Sequence, residues 1–270
     1  MAERTGQPIE AVQMLSSIYS PDRILIGDGV KTDARSAYFE FVVPASFCDG
    51  EAHYDGLFST DSEGRLVFNA DPRLSVGHFK KEVGLQVTQG HMLFGVLAKA
   101  KSEQLAQSAG EGQRMAAFSL TSLEFAGMVS PSKNLLVEFE NEVGGAVDAA
   151  LIDDEGKRVV DVKGLRLSAV DLGENYWAEH NLLETAAQSL IPFILDDIDK
   201  NAGLYLGVGG AYFYHPVRAE DKLQVFVQDI AARSSAHAHG NVVIARDNQL
   251  VAQFEDIHLQ RVRRAIFARS

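Results

Sequence analysis

The chain is poor in several residue types, and each shortage excludes a class of protein. Cys48 is the only cysteine among 270 residues, so a framework of internal disulfides is excluded and a reducing compartment is favoured. Lys and Arg number 25 against 37 Asp and Glu, and the net charge of −12 argues against a nucleic-acid partner, which needs a basic surface. Residues 1–8 lack the apolar core of a signal peptide, and no stretch approaches about 18 uninterrupted apolar residues. We therefore expect a cytoplasmic protein without a membrane span or a membrane partner.

What the chain does contain is an internal repeat. Two short segments within residues 123–139 match segments of residues 211–227 at a constant offset of 88 positions. Residues 151–167 then match residues 243–259 at an offset of 92 positions. Two copies predict a pair of similar units rather than a solenoid, because a solenoid needs at least about three repeats.

The apolar pattern and the turn residues divide each copy into one long helix followed by several strands. The helices are predicted over residues 90–107 and 178–198. Strands are predicted over residues 24–30, 37–43, 115–129, 134–143, 146–153 and 158–170 in the first copy, with a hairpin around residues 62–64, and over 204–215, 222–230, 236–245 and 250–262 in the second. We predict a helical lead-in over residues 1–20, a first unit over 21–170 with a loop-rich insertion over 44–76, and a second unit over 171–270.

The second predicted helix is apolar on nearly every side. Its apolar residues include Leu182, Leu183, Ala186, Ala187 and Leu190. A helix with so little polar surface has to be covered on most sides, and a curved antiparallel sheet can do this. The sequence therefore predicts an α+β fold in which each unit wraps a curved antiparallel sheet around a long central helix.

Several short motifs resemble those of a known enzyme family. Residues 181–188 read Asn-Leu-Leu-Glu-Thr-Ala-Ala-Gln, which is similar to a helix motif of two apolar residues, an acid, three small or apolar residues and a glutamine. Residues 207–223 look like the aromatic strand and Pro-Val turn that follow this helix. His78, between a glycine and a phenylalanine, resembles the histidine ahead of the first helix, and Gly90 matches the glycine at that helix's start. The family is the double-hotdog dehydratases, which include the β-hydroxyacyl-carrier-protein dehydratases of fatty-acid synthesis and the dehydratase domains of polyketide synthases.

The resemblance implies a tandem, or double, hotdog fold and a dehydratase that acts on a β-hydroxyacyl thioester. His78 would be the base and Glu184 the acid of one composite site between the two units. The first copy has Gly95 at the position of Glu184, and the second copy has no histidine where His78 would be repeated. The opposite composite site is therefore expected to be inactive. Gln188, one helical turn after Glu184, is expected to orient its carboxyl group, and the first copy has Lys99 there.

The developing enolate needs hydrogen-bond donors at the thioester oxygen, and the start of a helix supplies them. In this interpretation residues 84–90, with Gly84 and Gly90, form that donor surface. His91 is the reserve base. Burial in an apolar helix is expected to raise the pKa of Glu184, which suits a proton donor, and a carboxylate that only orients the substrate is the alternative.

Two other functions stay open, namely a hotdog acyl-thioesterase and a degenerate subunit that binds an acyl chain or scaffolds a synthase. The resemblance implies a substrate carried by acyl carrier protein or coenzyme A, with no metal and no organic cofactor. It leaves open whether the chain forms a homo- or hetero-oligomer. His237, His239 and His258 are of the type that binds zinc, but without an acid or cysteine at a suitable spacing we interpret them as strand-surface residues.

Overall fold

A computed structural model describes most of the chain from residue 133 onward and less than half of the residues before it. The described residues are 37–43, 54, 56–69, 90–106, 114–126, 129, 133–170, 176–177, 179–190, 193, 201–234 and 236–263. The predicted lead-in over residues 1–20, the predicted strand over 24–30, His78 and Gly84 lie outside them. Those predictions remain predictions.

The described residues form fourteen strands. They are β1 (Ala37–Val42), β2 (Phe58–Thr60), β3 (Leu66–Phe68), β4 (Arg114–Leu120), β5 (Ser122–Phe125), β6 (Leu135–Val143), β7 (Ala146–Ile152), β8 (Arg158–Val170), β9 (Tyr176–Trp177), β10 (Asn201–Phe213), β11 (Val217–Arg218), β12 (Lys222–Ser234), β13 (His237–Arg246) and β14 (Gln249–Arg263). Twelve of them make one sheet in the order β1-β12-β13-β14-β10-β4-β8-β7-β6-β3-β2, and β5 pairs with both β10 and β8. β9 and β11 form a separate pair. The predicted large antiparallel sheet is confirmed.

The strands form where apolar and polar residues alternate. In β13 buried and half-buried residues alternate almost without a break, so one face lies against the core. The strand predicted over residues 115–129 is divided into β4 and β5 at Thr121. The amide and the hydroxyl of Thr121 both donate to the carbonyl of Lys163, at 2.9 and 3.0 Å. The hairpin predicted around residues 62–64 is confirmed as β2 and β3.

Two helices lie on the sheet, α1 (Gly90–Ala106) and α2 (Glu179–Ser189). The prediction for α1 is confirmed. The second helix ends at Ser189, and residues 191–192 and 194–198 of its predicted extension lie outside the described residues. After Ser189 the amide of Leu190 bonds to the carbonyl of Ala187 and the amide of Phe193 to that of Leu190, which is a tighter, three-residue spacing. Residue 192 is a proline, which has no amide hydrogen and clashes with the carbonyl four residues earlier in a helix.

Both helices contribute to one continuous apolar core. α1 contacts β4, β7 and β8, α2 contacts β10, β12, β13 and β14, and the helices contact each other. Phe94 of α1 stacks on Phe213 of β10 with ring centroids 6.4 Å apart, so the packing crosses from the first half into the second. Leu183 is fully buried, and a leucine side chain buried in this way contributes roughly 1.5–3 kcal/mol. Neither α1 nor α2, the helices of the described part, has the length and apolar character needed to cross a membrane.

The two halves are joined through β10, which pairs with β4 and β5. Gly207 makes this junction close, because a Cβ there would overlap the carbonyl oxygen of Leu123. The position therefore excludes any residue with a side chain unless β5 moves away.

Equivalent β-bulges occur in the two halves. In the first half Asp148 accepts from the amide of Gly164 at 3.0 Å and from the side chain of Asn141 at 3.1 Å. In the second half Asn241 accepts from the amide of Asp256 at 2.9 Å and donates to Asp229 at 3.1 Å. The residues at the bulges have similar positive φ angles, with 60° at Gly164 and 52° at Asp256, so the two bulges share backbone geometry as well as bonding.

The outer strands of the sheet also correspond. β3 pairs with β6 at one end, and β1 pairs with β12 at the other. The second copy has no opening hairpin of its own after residue 171 in the sequence pattern. The N-terminal strand β1 takes the place beside β12 that β3 takes beside β6.

Candidate active site

Two polar residues of α2 are buried together. Glu184 is 9% exposed and Gln188 is 1% exposed. The side-chain amide of Gln188 donates a hydrogen bond to Oε1 of Glu184. This contact follows from helix geometry, since residues four positions apart lie on the same face. The structure thus brings together two of the predicted site residues, and their part in catalysis remains a prediction.

The other polar side chains near the end of α2 bond within the helix. The hydroxyl of Thr185 donates to the carbonyl of Asn181 at 2.9 Å, and that of Ser189 donates to the carbonyl of Ala186 at 2.7 Å. Such bonds satisfy a hydroxyl in an apolar environment without reaching another element. The hydroxyls of Thr185 and Ser189 therefore donate within α2.

Two buried polar atoms beside Glu184 have no hydrogen-bond partner among the residues that the structure describes. They are Oε1 of Gln188 and the hydroxyl oxygen of Tyr205 in β10. Burial raises the pKa of the Tyr205 hydroxyl well above its usual range, and the negative charge of Glu184 raises it further. The ring of Tyr205 packs on Phe125 with centroids 5.0 Å apart, which fixes its position. Glu184 therefore has one buried acceptor on its hydrogen-bonded neighbour Gln188, and one buried phenol, Tyr205, near enough to be affected by its charge.

Tyr205 is the residue of this group that sequence reasoning missed. The signal lies in the repeat: Ala117 pairs with Leu167 across β4 and β8, and Tyr205 pairs with Leu259 across β10 and β14. Leu167 and Leu259 are matched by the 92-residue offset, so Ala117 is the counterpart of Tyr205. A large polar residue in one copy against alanine in the other marks the same asymmetry as Glu184 against Gly95.

The position of Gly95 in α1 is closed, meaning that a neighbouring side chain fills the space that a larger residue would need. Tyr54 is fully buried against it, and its hydroxyl donates to the carbonyl of Met92 at 3.0 Å. A Cβ at Gly95 would lie 2.6 Å from Cζ of Tyr54 and closer still to its hydroxyl oxygen. Lys99, the counterpart of Gln188, points to Glu103 at 3.6 Å in an ion pair along the helix.

Gly90 and His91, two further predicted site residues, are the first two residues of α1. This placement agrees with the expected start of the first helix. Their predicted roles as oxyanion donor and reserve base remain predictions, as do those of His78 and Gly84.

A cavity of about 130 Å³ lies at the other side of α2. It is lined by Leu182, Phe213, Tyr214 and His215, among others. Leu182 is two residues before Glu184, which is about 200° around the helix. The cavity is therefore separate from the buried polar group around Glu184.

The histidines considered as zinc ligands lie on the sheet. Nδ1 of His239 and Nε2 of His258 both approach the carboxylate of Asp256, at 2.5 and 2.9 Å. Burial acts to raise the pKa of Asp256, but the bonds and charges of the two histidines outweigh it and lower that pKa. Within the described ranges no group of histidine, cysteine and acidic residues is arranged to hold a metal ion.

The chain has no matching protein-family model, and no curated protein matches its sequence. Its structure is similar to the dehydratase domain of RzxB from Pseudomonas fluorescens, with a TM-score of 0.50 and 13% identity over 75% of this chain and 96% of that one. It is also similar to the dehydratase domain of PpsC from Mycobacterium tuberculosis, solved in complex with C12:1-CoA, with a TM-score of 0.52 and 12% identity over 77% of this chain and 98% of that one. At these identities the likeness concerns the fold. The chain therefore has the hotdog fold.

Proposed function

We propose that the chain is a dehydratase for a β-hydroxyacyl thioester. The observation that carries this proposal is the buried Glu184–Gln188 pair on α2, in which Oε1 of Gln188 has no partner among the described residues, as is also true of the nearby Tyr205 hydroxyl. A buried acid next to unused hydrogen-bonding groups is typical of a reaction site rather than of a packed core. The dehydratase domain of PpsC, which shares the fold, was solved with an acyl-CoA. That supports an acyl thioester of coenzyme A or of an acyl carrier protein as the substrate class here.

The proposal includes a tandem of two hotdog units, each with one central helix. The matched bulges at Asp148 and Asn241, and the pairing of β3 with β6 and of β1 with β12, support this duplication. In such a pair a site can take residues from both units. His78 comes from the first unit and Glu184 from the second, and Gly95 leaves the opposite position without an acid.

The reaction follows from the chemistry of the two side chains. The imidazole of His78 takes a proton from C2 of the acyl chain, and the electron pair of that C–H bond forms the C2–C3 double bond. The C3–O bond breaks, and Glu184 gives a proton to the departing oxygen, which leaves as water. Amides of the segment from Gly84 to Gly90, which leads into α1 in the sequence, hold the enolate oxygen. Gln188 holds the carboxyl group of Glu184 in position.

Activity on a series of 3-hydroxyacyl pantetheine thioesters tests this proposal. The double bond that forms absorbs in the near ultraviolet, and a thiol reagent added to the same reaction detects hydrolysis. We expect dehydration by the wild-type chain and a loss of at least about 100-fold in His78→Ala and in Glu184→Gln. Lys99→Gln, at the equivalent position to Gln188 in the first half, is the matched control and should keep full activity.

Release of thiol without dehydration would replace the proposal by an acyl-thioesterase. Binding of the thioesters without either reaction would indicate an acyl-binding subunit. Circular dichroism and the melting temperature of each variant separate loss of chemistry from loss of fold.

A further inference from the structure

Among the described residues, the two buried atoms near Glu184 without a hydrogen-bond partner are an acceptor, Oε1 of Gln188, and a potential donor, the hydroxyl of Tyr205. Oε1 of Gln188 is a carbonyl oxygen and can only accept a hydrogen bond, and the amide nitrogen of the same side chain already donates to Glu184. The hydroxyl of Tyr205 can donate one. One group that is both a donor and an acceptor satisfies both atoms, and an alcohol is such a group.

We propose that Tyr205 is a catalytic residue, whose hydroxyl donates to the C3 hydroxyl of the substrate while that hydroxyl donates to Oε1 of Gln188. This inference rests on the proposed function and specifies how the same site selects its substrate. The C3 oxygen has two lone pairs, so one accepts from Tyr205 and the other receives the proton of Glu184. Tyr205 keeps its own proton throughout. The site therefore recognises acyl thioesters that carry a hydroxyl at C3 over the otherwise identical saturated chains.

The energetics favour this role over a structural one. A buried hydroxyl without a partner destabilises a protein by about 1–3 kcal/mol, so a tyrosine that only fills space is readily replaced by phenylalanine. The ring of Tyr205 already has its packing partner in Phe125, and the hydroxyl adds nothing to that contact. The raised pKa of Tyr205 keeps the phenol neutral at neutral pH, and a neutral phenol can donate a hydrogen bond.

The asymmetry of the repeat points the same way. Glu184, Gln188 and Tyr205 correspond to Gly95, Lys99 and Ala117 in the first half. All three positions differ between the two halves. A residue needed only for packing would not have to change with the acid.

Binding of two amide-linked acyl pantetheines tests the proposal, one with a hydroxyl at C3 and one without. An amide has much less acidic protons at C2 than a thioester, so neither probe reacts during calorimetry. We expect the wild-type chain to prefer the hydroxylated probe roughly tenfold or more, and Tyr205→Phe to lose that preference. Tyr212→Phe, a half-buried tyrosine of the same strand, is the matched control and should keep it.

Tyr205→Phe should also lower kcat/KM for dehydration by about tenfold or more, while its melting temperature stays at or above that of the wild type. A wild-type chain that binds both probes equally, or a Tyr205→Phe variant with an unchanged preference, would overturn the inference. The proposed function can fail separately. A preference that depends on Tyr205 without any dehydration would keep the subsite and reject the dehydratase, and dehydration that does not depend on Tyr205 would do the reverse.

Discussion

The helices α1 and α2 occupy equivalent places in the two halves. The middle of α1 packs against a buried aromatic ring, whereas the middle of α2 carries buried polar side chains. In α1 the position of the acid is Gly95, and the buried ring of Tyr54 fills the space beside it. In α2 the same position is Glu184, bonded to Gln188 and close to the unpartnered hydroxyl of Tyr205. The difference shows that the repeat conserves the packing of both halves but keeps a polar group in one only.

The contrast also shows how a position can be closed. Losing an acid could leave a void, and a void in a packed core destabilises a protein. Tyr54 enters from outside the repeated segments, and its hydroxyl bonds to the carbonyl of Met92, so neither a void nor an unpaired polar group remains. The first half thus has a solid core where the second half has a polar site.

The largest effect is expected from adding a methyl group to the closed position. Alanine usually stabilises a helix by about 0.5–1 kcal/mol relative to glycine. Gly95→Ala should instead destabilise the protein by about 3 kcal/mol, because the new Cβ would overlap the hydroxyl end of Tyr54. Urea unfolding of both proteins, followed by circular dichroism, measures the difference.

The matched control replaces Tyr54, the side chain that the new Cβ would overlap. In a double-mutant cycle with Tyr54→Leu, the alanine should cost at least about 1 kcal/mol less than it does beside tyrosine. Additive effects of the two changes would mean that Tyr54 does not close the position, and the comparison of the helices would lose its steric basis.

The second effect concerns the open position. Gln188→Met keeps the size of the side chain but removes both the donor to Glu184 and the free acceptor. We expect a loss of about 10- to 100-fold in kcat/KM for dehydration, since a buried hydrogen bond to an acid is worth about 1.5–3 kcal/mol. Steady-state kinetics with a 3-hydroxyacyl thioester provide the measurement. Lys99→Met makes the equivalent change in α1, and a comparable loss there would contradict the assignment of the site to one half.

Much of the fold could be predicted from the sequence because it depends on local pattern. The strands β6, β7 and β8 and the helix α1 begin and end within about two residues of their predicted bounds, where Gly, Asp and Asn residues interrupt the apolar alternation. The contact between Glu184 and Gln188 is likewise local, since it needs only the spacing of one helical turn.

The features that the sequence did not predict depend on contacts between distant segments. The pairing of β1 with β12 joins residues about 190 positions apart, and no local pattern indicates that partner. In the sequence Tyr205 is one residue of the strand predicted over 204–215. Its proximity to Glu184 depends on how β10 packs on α2, which no local pattern shows. Similarly, Gly95 is a helix glycine in the sequence, and the reason for it is a tyrosine from another segment.

The third expected effect is a raised pKa of Tyr205, which a titration can measure. Burial and the charge of Glu184 both raise the pKa of Tyr205. Its phenol should therefore ionise above the usual value of about 10. The difference in absorbance near 295 nm between the wild type and Tyr205→Phe isolates this residue, and in Glu184→Gln the same difference should move to lower pH. The stability linked to Tyr205 is fully present below about pH 10 and is lost as the pH rises through its folded value.

The smallest expected effect concerns the two bulges. Asp148 in the first half and Asn241 in the second each accept a hydrogen bond from a backbone amide of the bulge. The amide of Gly164 is the largest of several influences that lower the pKa of Asp148. The ionised Asp148 therefore stabilises the folded protein by on the order of 1 kcal/mol. This stability is present above about pH 4 and is lost as the pH falls through the pKa of Asp148 in the folded protein. Asp148→Asn should remove this acid sensitivity from urea unfolding between about pH 5 and pH 3. Asn241→Asp should have the opposite sign: it sets a second carboxylate beside Asp229, so the variant is destabilised at neutral pH and recovers as the pH falls. If both variants changed with pH in the same direction, the equivalence of the two bulges would be wrong.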